Sequence, residues 1–342
     1  MLNWFKGSLF RRIMGIAILV ILILALILGG VYLWIDSVVG QTNDLEGTVQ
    51  TLSSEELASE LGELEEEEID PIFEQADDIF KGKDVVNILL VGQDRREHQK
   101  RQRSDAMIMC TINKSTKTLT MTSFLRDVWV YIPDHYNQRL NVAYLLGGFP
   151  LLNETLQYNF GVSADYNVEI DFSGFQKVID LVGGVDIELT AAEVKYLNKY
   201  ANREFGDYTE WNLKKGMCHL DGAQALAYSR IRKIDSDFSR TNRQRKVLKT
   251  LLEKAKLLDA KELYSLANSI LPLVRTDLDT PQVLGIIMDV FPVLGKMDVV
   301  SQRIPLKGQY SYASKKGASV IVLSKKNVEA AKKLLTETMK EQ

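Results

Sequence analysis

Cysteine and histidine are scarce in this chain of 342 residues, which contains two cysteines, Cys110 and Cys218, and three histidines. So few cysteines exclude a disulfide framework and a cysteine-rich zinc module. Three histidines likewise argue against a histidine-rich metal site. Whether the two cysteines pair is left open by the sequence. The composition is otherwise that of a globular protein, with 46% hydrophobic and 25% charged residues.

Charge is absent from residues 13–35. A run of this length can cross a bilayer as one helix. Lys6, Arg11 and Arg12 precede it, and no acidic residue occurs among the first twelve. Because basic residues mark the cytoplasmic side of such spans, residues 1–12 are predicted to be cytoplasmic. Residues 13–35 are then a single uncleaved transmembrane anchor in the cell membrane, and the rest of the chain is extracellular.

Basic residues are missing from the next segment. Residues 36–80 contain fifteen Asp or Glu and no Lys or Arg. A block of one charge sign is typical of a solvated segment, and an acidic block is repelled by an anionic membrane surface. We therefore interpret residues 36–83 as an acidic extracellular spacer, with a calcium-binding role as the alternative.

From residue 84 onward, short β-rich runs alternate with helical patterns, which predicts an α/β fold with a mixed central β-sheet flanked by helices. Strands are predicted at residues 85–91, 106–113, 118–124, 166–172, 185–190, 299–304 and 319–323. Helices are predicted at residues 141–147, 151–160, 173–182, in two basic segments between 221 and 258, in two segments within 261–294, and at 325–340. Residues 195–216 are predicted to be a surface loop, and residues 307–316 a polar turn. The folded region begins at residue 84; its first part spans residues 84–258, and residues 259–342 complete that part or are appended to it.

Five arginines lie between residues 230 and 245. Helical spacing places Arg230 on the apolar face of the first basic helix, and Arg240 with Gln244 on the apolar stripe of the second. Arg245 falls outside that stripe and is expected to face water. Inward arginines near a helix N-terminus favour an anion site, and the planar guanidinium suits phosphate oxygens. The alternative is a basic helix pair that forms salt bridges with acidic neighbours.

Six short motifs follow the predicted anchor in order. They are GQDRR (92–96), RSDAM (103–107), SFLRD (123–127), LDGAQAL (220–226), YSRIR (228–232), and DFSR with RQ (237–240 and 243–244). Each motif is weak alone, but the ordered set resembles the LytR-CpsA-Psr family of bacterial cell-envelope enzymes. The resemblance covers residues 84–258.

The resemblance implies a magnesium-dependent phosphotransferase that acts outside the membrane of a Gram-positive bacterium. Its donor is a glycopolymer on an undecaprenyl-pyrophosphate carrier, and its acceptor is peptidoglycan. The polymer is a teichoic acid, a capsular polysaccharide or another secondary wall polysaccharide. The resemblance also implies that the polyprenyl chain lies in an apolar pocket between the sheet and the helices.

The resemblance assigns roles to individual residues. The metal ligands are Asp94 and Asp105. The pyrophosphate ligands are Arg126, Arg230, Arg232, Arg240 and Gln244, and we count Arg243 with them. Arg126, Arg230 and Arg232 are also the expected catalytic residues. Asp127 is a candidate general base, with orientation of Arg126 as its alternative role. The chemistry agrees, because carboxylates suit Mg²⁺ and phosphoryl transfer depends on positioning and charge neutralisation.

Three other functions remain open at this point. A non-enzymatic membrane scaffold would bind polyprenyl-pyrophosphate lipids without turnover. A lipid pyrophosphatase would use water as the acceptor at the same site. A transcription regulator is opposed by the predicted topology, since an extracellular domain does not meet chromosomal DNA and no helix-turn-helix follows the anchor. We therefore expect no nucleic-acid partner.

Overall fold

In the computed structural model, the described residues are 43–44, 53, 85–93, 101–201, 211–258, 262, 265–266, 269–278, 282, 286, 293, 295–315 and 317–337. The predicted anchor at 13–35 and Asp94 lie outside this set, as does most of the predicted spacer. Among the described residues, no helix has both the length and the apolar character that a membrane span requires.

Strands within the described residues form one large sheet and three two-stranded ribbons. Their bounds are β1 (Asn43–Asp44), β2 (Val85–Gln93), β3 (Ser104–Asn113), β4 (Thr118–Phe124), β5 (Trp129–Tyr131), β6 (Asn137–Arg139), β7 (Tyr166–Asp171), β8 (Val185–Leu189), β9 (Gly216–Leu220), β10 (Val274–Thr276), β11 (Asp298–Ile304), β12 (Ser311–Lys315) and β13 (Ala318–Val322). The large sheet has the order β1-β10-β7-β2-β3-β4-β11. The ribbons are β5-β6, β8-β9 and β12-β13.

The strand directions bring several strand ends to one edge of the large sheet. β2 is parallel to β7 and antiparallel to β3, β3 is antiparallel to β4, and β4 is parallel to β11. The carboxyl ends of β2, β4, β7 and β11 therefore share an edge with the amino end of β3. We call this the carboxyl edge. Open α/β sheets bind ligands at such edges, and the predicted mixed α/β architecture is confirmed.

The helices within the described residues are α1 (Leu140–Phe160), α2 (Phe172–Leu181), α3 (Ala191–Tyr196), α4 (Gly222–Ser229), α5 (Asp237–Ala255) and α6 (Lys325–Glu337). α1 bends at Gly148, where φ is 63°, a conformation that glycine adopts without a steric penalty. Pro150 follows within the same helix. This bend separates the two helical segments that the sequence predicts at 141–147 and 151–160.

Alternation along the strands gives the sheet two apolar faces. Leu89 and Met107 point to the face where α1 and α6 pack, in a core that also contains Leu156 and Leu335. The neighbouring positions on each strand point to the other face. There the buried residues Ile108, Cys110, Leu119 and Met121 pack with Leu248 and Leu252 of α5. We call this second side the α5 face.

Three predicted segments differ from the structure. Residues 195–201, predicted as loop, continue α3 as a π-helical turn, with Leu197 fully buried. This helix begins at a capping box formed by Thr190 and Glu193. Val274 and Arg275, predicted as helix, and Thr276, predicted to begin the break between two helices, form β10 against β7. Residues 311–315 of the predicted turn form β12 in a hairpin with β13.

Candidate active site at the carboxyl edge

An apolar pocket with a charged mouth lies between the α5 face of the sheet and helices α2, α4 and α5. Its volume is about 230 Å³. Apolar side chains from the strands and helices form most of the wall, including Leu90, Ile108, Val168, Phe175, Leu226 and Leu251. The charged side chains of the wall are Asp105, Asp171, Arg230, Arg232 and Arg240. Such a pocket suits a ligand with an apolar chain and an anionic head.

Asp105 stands at the start of β3, where two arginines meet its carboxylate. Arg126 Nη1 donates to Oδ1 at 2.5 Å, and Arg232 Nη2 donates to the same oxygen at 3.2 Å. Arg126 follows β4, and Arg232 follows α4, so residues from three distant segments converge here. Both arginines were predicted site residues, and the structure brings them together with Asp105.

Arg126 links Asp105 to a second pair of carboxylates. Its Nε lies 3.5 Å from Asp127 Oδ2 and 4.0 Å from Asp237 Oδ1. Arg139 approaches Asp127 from the other side, with Nη1 at 3.8 Å from Oδ1. Burial lowers the pKa of Arg126, but the three surrounding carboxylates outweigh that effect and raise it. Arg126 is therefore a fixed positive charge inside the cluster.

Arg240 lies in the first turn of α5 and is 2% exposed. Its Nη2 is 2.6 Å from Asp237 Oδ1. Among the described residues, no partner meets hydrogen-bond geometry at any of its three guanidinium nitrogens. Burial lowers its pKa to about 10, against the opposing effect of Asp237. The side chain is charged at neutral pH, and it has N–H groups to offer to an anion.

Gln244 and Arg230 complete the mouth of the pocket. Gln244 lies one helical turn after Arg240 on the pocket wall, and within the described part of the chain its Oε1 has no hydrogen-bond partner. Arg230 is the C-cap of α4, with its guanidinium carbon 4.2 Å from the ring centroid of Phe172. This contact holds Arg230 against the pocket wall by a cation–π interaction. The inward facing predicted for Arg240 and Gln244 agrees with this arrangement.

Arg243 is not part of this group, although the sequence places it among the pyrophosphate ligands. It is 4% exposed and absent from the pocket wall. Its Nε donates to Glu193 Oε1 at 2.8 Å, and its two terminal nitrogens donate to Asp235. Burial lowers the pKa of Arg243, but its bonds to Asp235 and Glu193 outweigh that effect and raise it. Arg243 joins α5 to α3, so the salt-bridge alternative describes it correctly.

The prediction that Arg245 faces water is wrong, because Arg245 is 6% exposed. It precedes Leu248 by three residues and Leu252 by seven, so it shares the side of α5 that packs on the sheet. Its Nε and Nη1 have no hydrogen-bond partner among the described residues. Burial lowers its pKa to about 10, and the nearby charge of Arg303 acts in the same direction.

Asp237 is a site residue without a predicted role, although it begins the DFSR motif. Ser236, and not Asp237, caps α5, since its Oγ accepts from Ser239 N. The carboxylate of Asp237 is therefore available to Arg240 and Arg126. Burial raises its pKa, in spite of these two arginines. The available signal was the i, i+3 spacing of Asp237 and Arg240, which places an acidic and a basic side chain on the same side of α5.

Of the two predicted metal ligands, Asp94 and Asp105, the structure describes Asp105. Asp94 lies outside the described residues, while the strand that precedes it ends at Gln93, which pairs with Ser104 next to Asp105. Both arginine contacts of Asp105 use Oδ1. In the described part of the chain, no three His, Cys, Asp or Glu residues are grouped as a metal cluster.

Comparison with known proteins gives consistent matches. Residues 48–337 match the LytR_cpsA_psr family. The polyisoprenyl-teichoic acid–peptidoglycan teichoic acid transferase TagT of Bacillus subtilis is 36% identical over 187 residues, 54% of this chain and 56% of that protein. The polyisoprenyl-teichoic acid–peptidoglycan teichoic acid transferase TagU of Oceanobacillus iheyensis is 30% identical over 273 residues, 76% of this chain and 75% of that protein.

A solved structure shares the fold. The LytR-CPS2A-psr family protein YwtF (TagT) with bound octaprenyl pyrophosphate lipid superposes with a TM-score of 0.57 at 25% identity, over 81% of this chain and 98% of that one. The match extends well beyond residues 84–258, into the C-terminal strands that border the sheet. On these grounds the chain belongs to the LytR-CpsA-Psr family.

Proposed function

We propose that this protein is a membrane-anchored phosphotransferase that moves a glycopolymer from an undecaprenyl-pyrophosphate carrier to peptidoglycan. The observation that carries the proposal is the apolar pocket whose mouth holds the buried, incompletely hydrogen-bonded Arg240 beside Arg230 and Arg232. The names of TagT and TagU, and the octaprenyl pyrophosphate bound in the related structure, support the same chemistry.

The donor lipid binds with its chain in the pocket and its pyrophosphate at the mouth. The polyprenyl chain is apolar and matches the wall formed by Leu90, Ile108 and Val168. The pyrophosphate receives charge-assisted hydrogen bonds from Arg230, Arg232 and Arg240, which are roughly twice as strong as neutral ones. Gln244 adds a neutral contact. Arg126 stays on Asp105 and orients the mouth.

The reaction is a displacement at the phosphorus that carries the polymer. A hydroxyl oxygen of the wall glycan forms the new P–O bond, and the P–O bond to the lipid phosphate breaks. The polymer becomes a phosphodiester on the glycan, and polyprenyl monophosphate leaves. Arginines at the mouth stabilise the charge that grows on the leaving lipid phosphate. The chemistry needs a group that accepts the hydroxyl proton.

Asp237 is the proton acceptor that we favour over Asp127. Asp127 lies between two guanidinium groups, those of Arg126 and Arg139. Asp237 has one carboxylate oxygen, Oδ2, that is buried and has no hydrogen-bond partner among the described residues. Its raised pKa also makes it a stronger base than an ordinary aspartate. Asp127 then orients Arg126 and Arg139.

Mg²⁺ is the proposed cofactor, held by Asp105 and Asp94. The contacts of Asp105 fit this role, because both arginines use Oδ1 and leave Oδ2 for a cation. Magnesium in proteins typically binds one or two carboxylates together with substrate phosphates and water. When bound, it neutralises charge on the pyrophosphate.

The proposed setting is the outer surface of the cell membrane. Residues 13–35 anchor the chain, with the N-terminus in the cytoplasm and the domain outside, where both lipid-linked donor and peptidoglycan are present. A tag placed after Gln342 should be cleaved by protease on intact wall-less cells. Cleavage after permeabilisation alone would contradict this topology.

The decisive experiment for function is transfer by the purified full chain from a defined polyprenyl-pyrophosphate glycopolymer to peptidoglycan fragments. We expect a phosphodiester-linked product and polyprenyl monophosphate, and we expect both to be lost with chelator and in Asp105→Asn. Polymer phosphate released to water without transfer would indicate the pyrophosphatase. Donor binding without turnover would indicate the scaffold.

A further inference from the structure

A row of three aromatic rings runs from α5 to the β12-β13 hairpin. Phe238, the residue after Asp237, has its ring centroid 4.5 Å from that of Tyr310. Tyr310 in turn meets Tyr312 of β12 edge-on, with centroids 5.7 Å apart and an interplanar angle of 88°. Phe238 is buried, whereas Tyr312 is 62% exposed. The row thus ends in one large open aromatic surface.

Backbone pairing fixes this row beside the carboxylates of the site. Tyr312 lies opposite Ile321 in the hairpin, and Ile321 N donates to the carbonyl of Asp127 at 2.9 Å. One end of the row is therefore covalently next to Asp237, and the other is one strand away from Asp127. The pKa of Tyr312 is raised mainly by burial and by Tyr310, and the charges of Asp237 and Asp127 contribute to the same shift.

The row is also held rigidly at its base. The guanidinium carbon of Arg303, on β11, lies 4.1 Å from the ring centroid of Phe238. Phe238 belongs to the main core of the domain. A tyrosine that is exposed but fixed by neighbouring rings presents a flat apolar face at little cost in conformational entropy. This is the chemistry that stacks on the C–H face of a sugar ring.

We propose that Tyr312, supported by Tyr310 and Phe238, is the platform on which a sugar ring of the peptidoglycan acceptor stacks. The inference rests on the proposed function and adds the position of the acceptor. Among the described residues, the wall of the lipid pocket includes none of the three rings. In phosphoryl transfer the attacking and leaving oxygens lie roughly in line, so a lipid phosphate that leaves toward the pocket requires an acceptor on the opposite side. Phe238 and Ile321 belong to the core on the α1 and α6 side of the sheet, and Tyr310 packs against that core, whereas the lipid pocket lies on the α5 face.

This placement gives each group in the transfer step a partner. The sugar stacked on Tyr312 presents a hydroxyl between the platform and the phosphorus. That oxygen forms the new P–O bond as the bond to the lipid phosphate breaks. Its proton passes to Asp237, which precedes the base of the platform. Polyprenyl monophosphate remains on the pocket side.

The test uses the full chain in detergent, with Tyr312→Ala, Tyr312→Phe and the control Ser314→Ala on the same strand. For Tyr312→Ala, we expect the KM for a peptidoglycan glycan fragment to rise about five- to tenfold, the size of one lost aromatic contact. The Kd for polyprenyl pyrophosphate should stay at the parent's value. Tyr312→Phe should restore the KM, and Ser314→Ala should match the parent.

Two results would overturn the platform. An unchanged acceptor KM in Tyr312→Ala would remove it. A weaker Kd for the sugar-bearing donor, with an unchanged acceptor KM, would assign the ring to the donor sugar. Binding of the glycan fragment alone, followed by tyrosine and tryptophan fluorescence, needs no turnover. If the parent binds the fragment through Tyr312 but transfers nothing, the platform stands and the proposed transferase function fails.

Discussion

Arg240 and Arg243 lie three residues apart on α5, and both are buried, yet their surroundings differ. Arg243 donates to two carboxylates, Glu193 and Asp235, and to the carbonyl of Ile231. Arg240 has one carboxylate nearby, that of Asp237, and within the described residues none of its guanidinium nitrogens has a hydrogen-bond partner of good geometry. The hydrogen bonds of Arg243 are supplied within the protein, whereas those of Arg240 are not.

The difference separates a structural arginine from a binding arginine. Burial of a guanidinium without full hydrogen bonding is costly. The fold compensates that cost at Arg243 with its own carboxylates. At Arg240, which belongs to the pocket wall, the compensation is incomplete, because its guanidinium nitrogens have no hydrogen-bond partner among the described residues. An anionic ligand at the mouth would accept hydrogen bonds from this guanidinium, which is why we assign Arg240 to the donor pyrophosphate.

The largest expected difference is in the transfer rate, when the carboxylate beside each arginine is replaced by an amide. Asp237→Asn should lower the transfer rate about 10²- to 10⁴-fold, because an amide cannot accept the hydroxyl proton. Glu193→Gln, the matched change beside Arg243, should leave the rate of the folded protein near the parent's. Single-turnover transfer across pH measures both.

The pH profile of the parent sharpens the same prediction. A base works in its ionised form, so transfer should fall as pH is lowered through the pKa of Asp237. Because burial raises that pKa, the fall should begin above the usual aspartate range. Asp237→Asn should lack this limb. A variant that keeps both the parent's rate and its acid limb would transfer the role to Asp127.

Arg243→Met should give the largest loss of stability. Removing Arg243 leaves Glu193 buried without its main partner, and breaking a buried pair in this way costs about 3–5 kcal/mol. Urea unfolding of the extracellular domain in the full chain measures the change. Donor affinity of the folded fraction should be unaffected. A stable Arg243→Met protein with weak donor binding would reverse the two roles.

The same pair predicts a dependence of stability on pH. The bonds from Thr190 and Arg243 outweigh the opposing effect of burial and lower the pKa of Glu193. A lowered carboxyl pKa contributes stability above the unfolded-state pKa, which is lost as pH falls through the folded-state value. Arg243→Met should reduce this acid-side loss.

Arg240→Met should act on catalysis rather than on folding. Loss of a charge-assisted contact to the pyrophosphate should lower kcat/KM for transfer. The expected loss of transition-state stabilisation is about 1.5–3 kcal/mol. The thermal midpoint should stay close to the parent's, because loss of the ion pair with Asp237 is offset by removal of a buried guanidinium whose hydrogen bonds are incomplete. A large fall in thermal midpoint would place Arg240 with Arg243 as a structural residue.

Replacing Arg245 should have the smallest effect, and it should raise the free energy of unfolding rather than lower it. Arg245→Met removes a buried charge that lacks a carboxylate partner among the described residues, so the free energy of unfolding should rise by about 1 kcal/mol. Lys246→Met, at the exposed neighbouring position, should change it by about 0.5 kcal/mol or less. Lower stability in Arg245→Met would show that Arg245 makes a favourable interaction in the folded protein.

The arginines also show how far sequence reasoning reached. Strand alternation and helical spacing predicted the mixed sheet, most of its strands and the inward facing of Arg240 and Gln244. These patterns are local, with periods of two and 3.6 residues. One of the two carboxylate partners of Arg243, Glu193, lies 50 residues earlier. No local pattern predicts that the fold brings this carboxylate to the arginine.

Arg245 was misplaced for a related reason. A single apolar stripe describes a helix with one buried side, but the first half of α5 is buried on several sides, at Phe238, Arg240, Thr241, Arg243, Arg245 and Val247. A residue outside the pocket stripe is therefore still buried. Asp237 has no predicted role because Arg126, which lies near it in the fold, is far earlier in the chain, beyond the reach of any local pattern.

The most direct test of the account is a four-way lipid titration at one salt concentration. The parent and Arg240→Met are each titrated with a polyprenyl pyrophosphate and with the uncharged polyprenol of equal chain length. If the pocket holds the polyprenyl chain and Arg240 holds the pyrophosphate, Arg240→Met should raise the Kd for the pyrophosphate lipid by about 10- to 100-fold. The Kd for the alcohol should stay unchanged. Equal weakening of both lipids, or of neither, would contradict the assignment of Arg240 to the donor pyrophosphate.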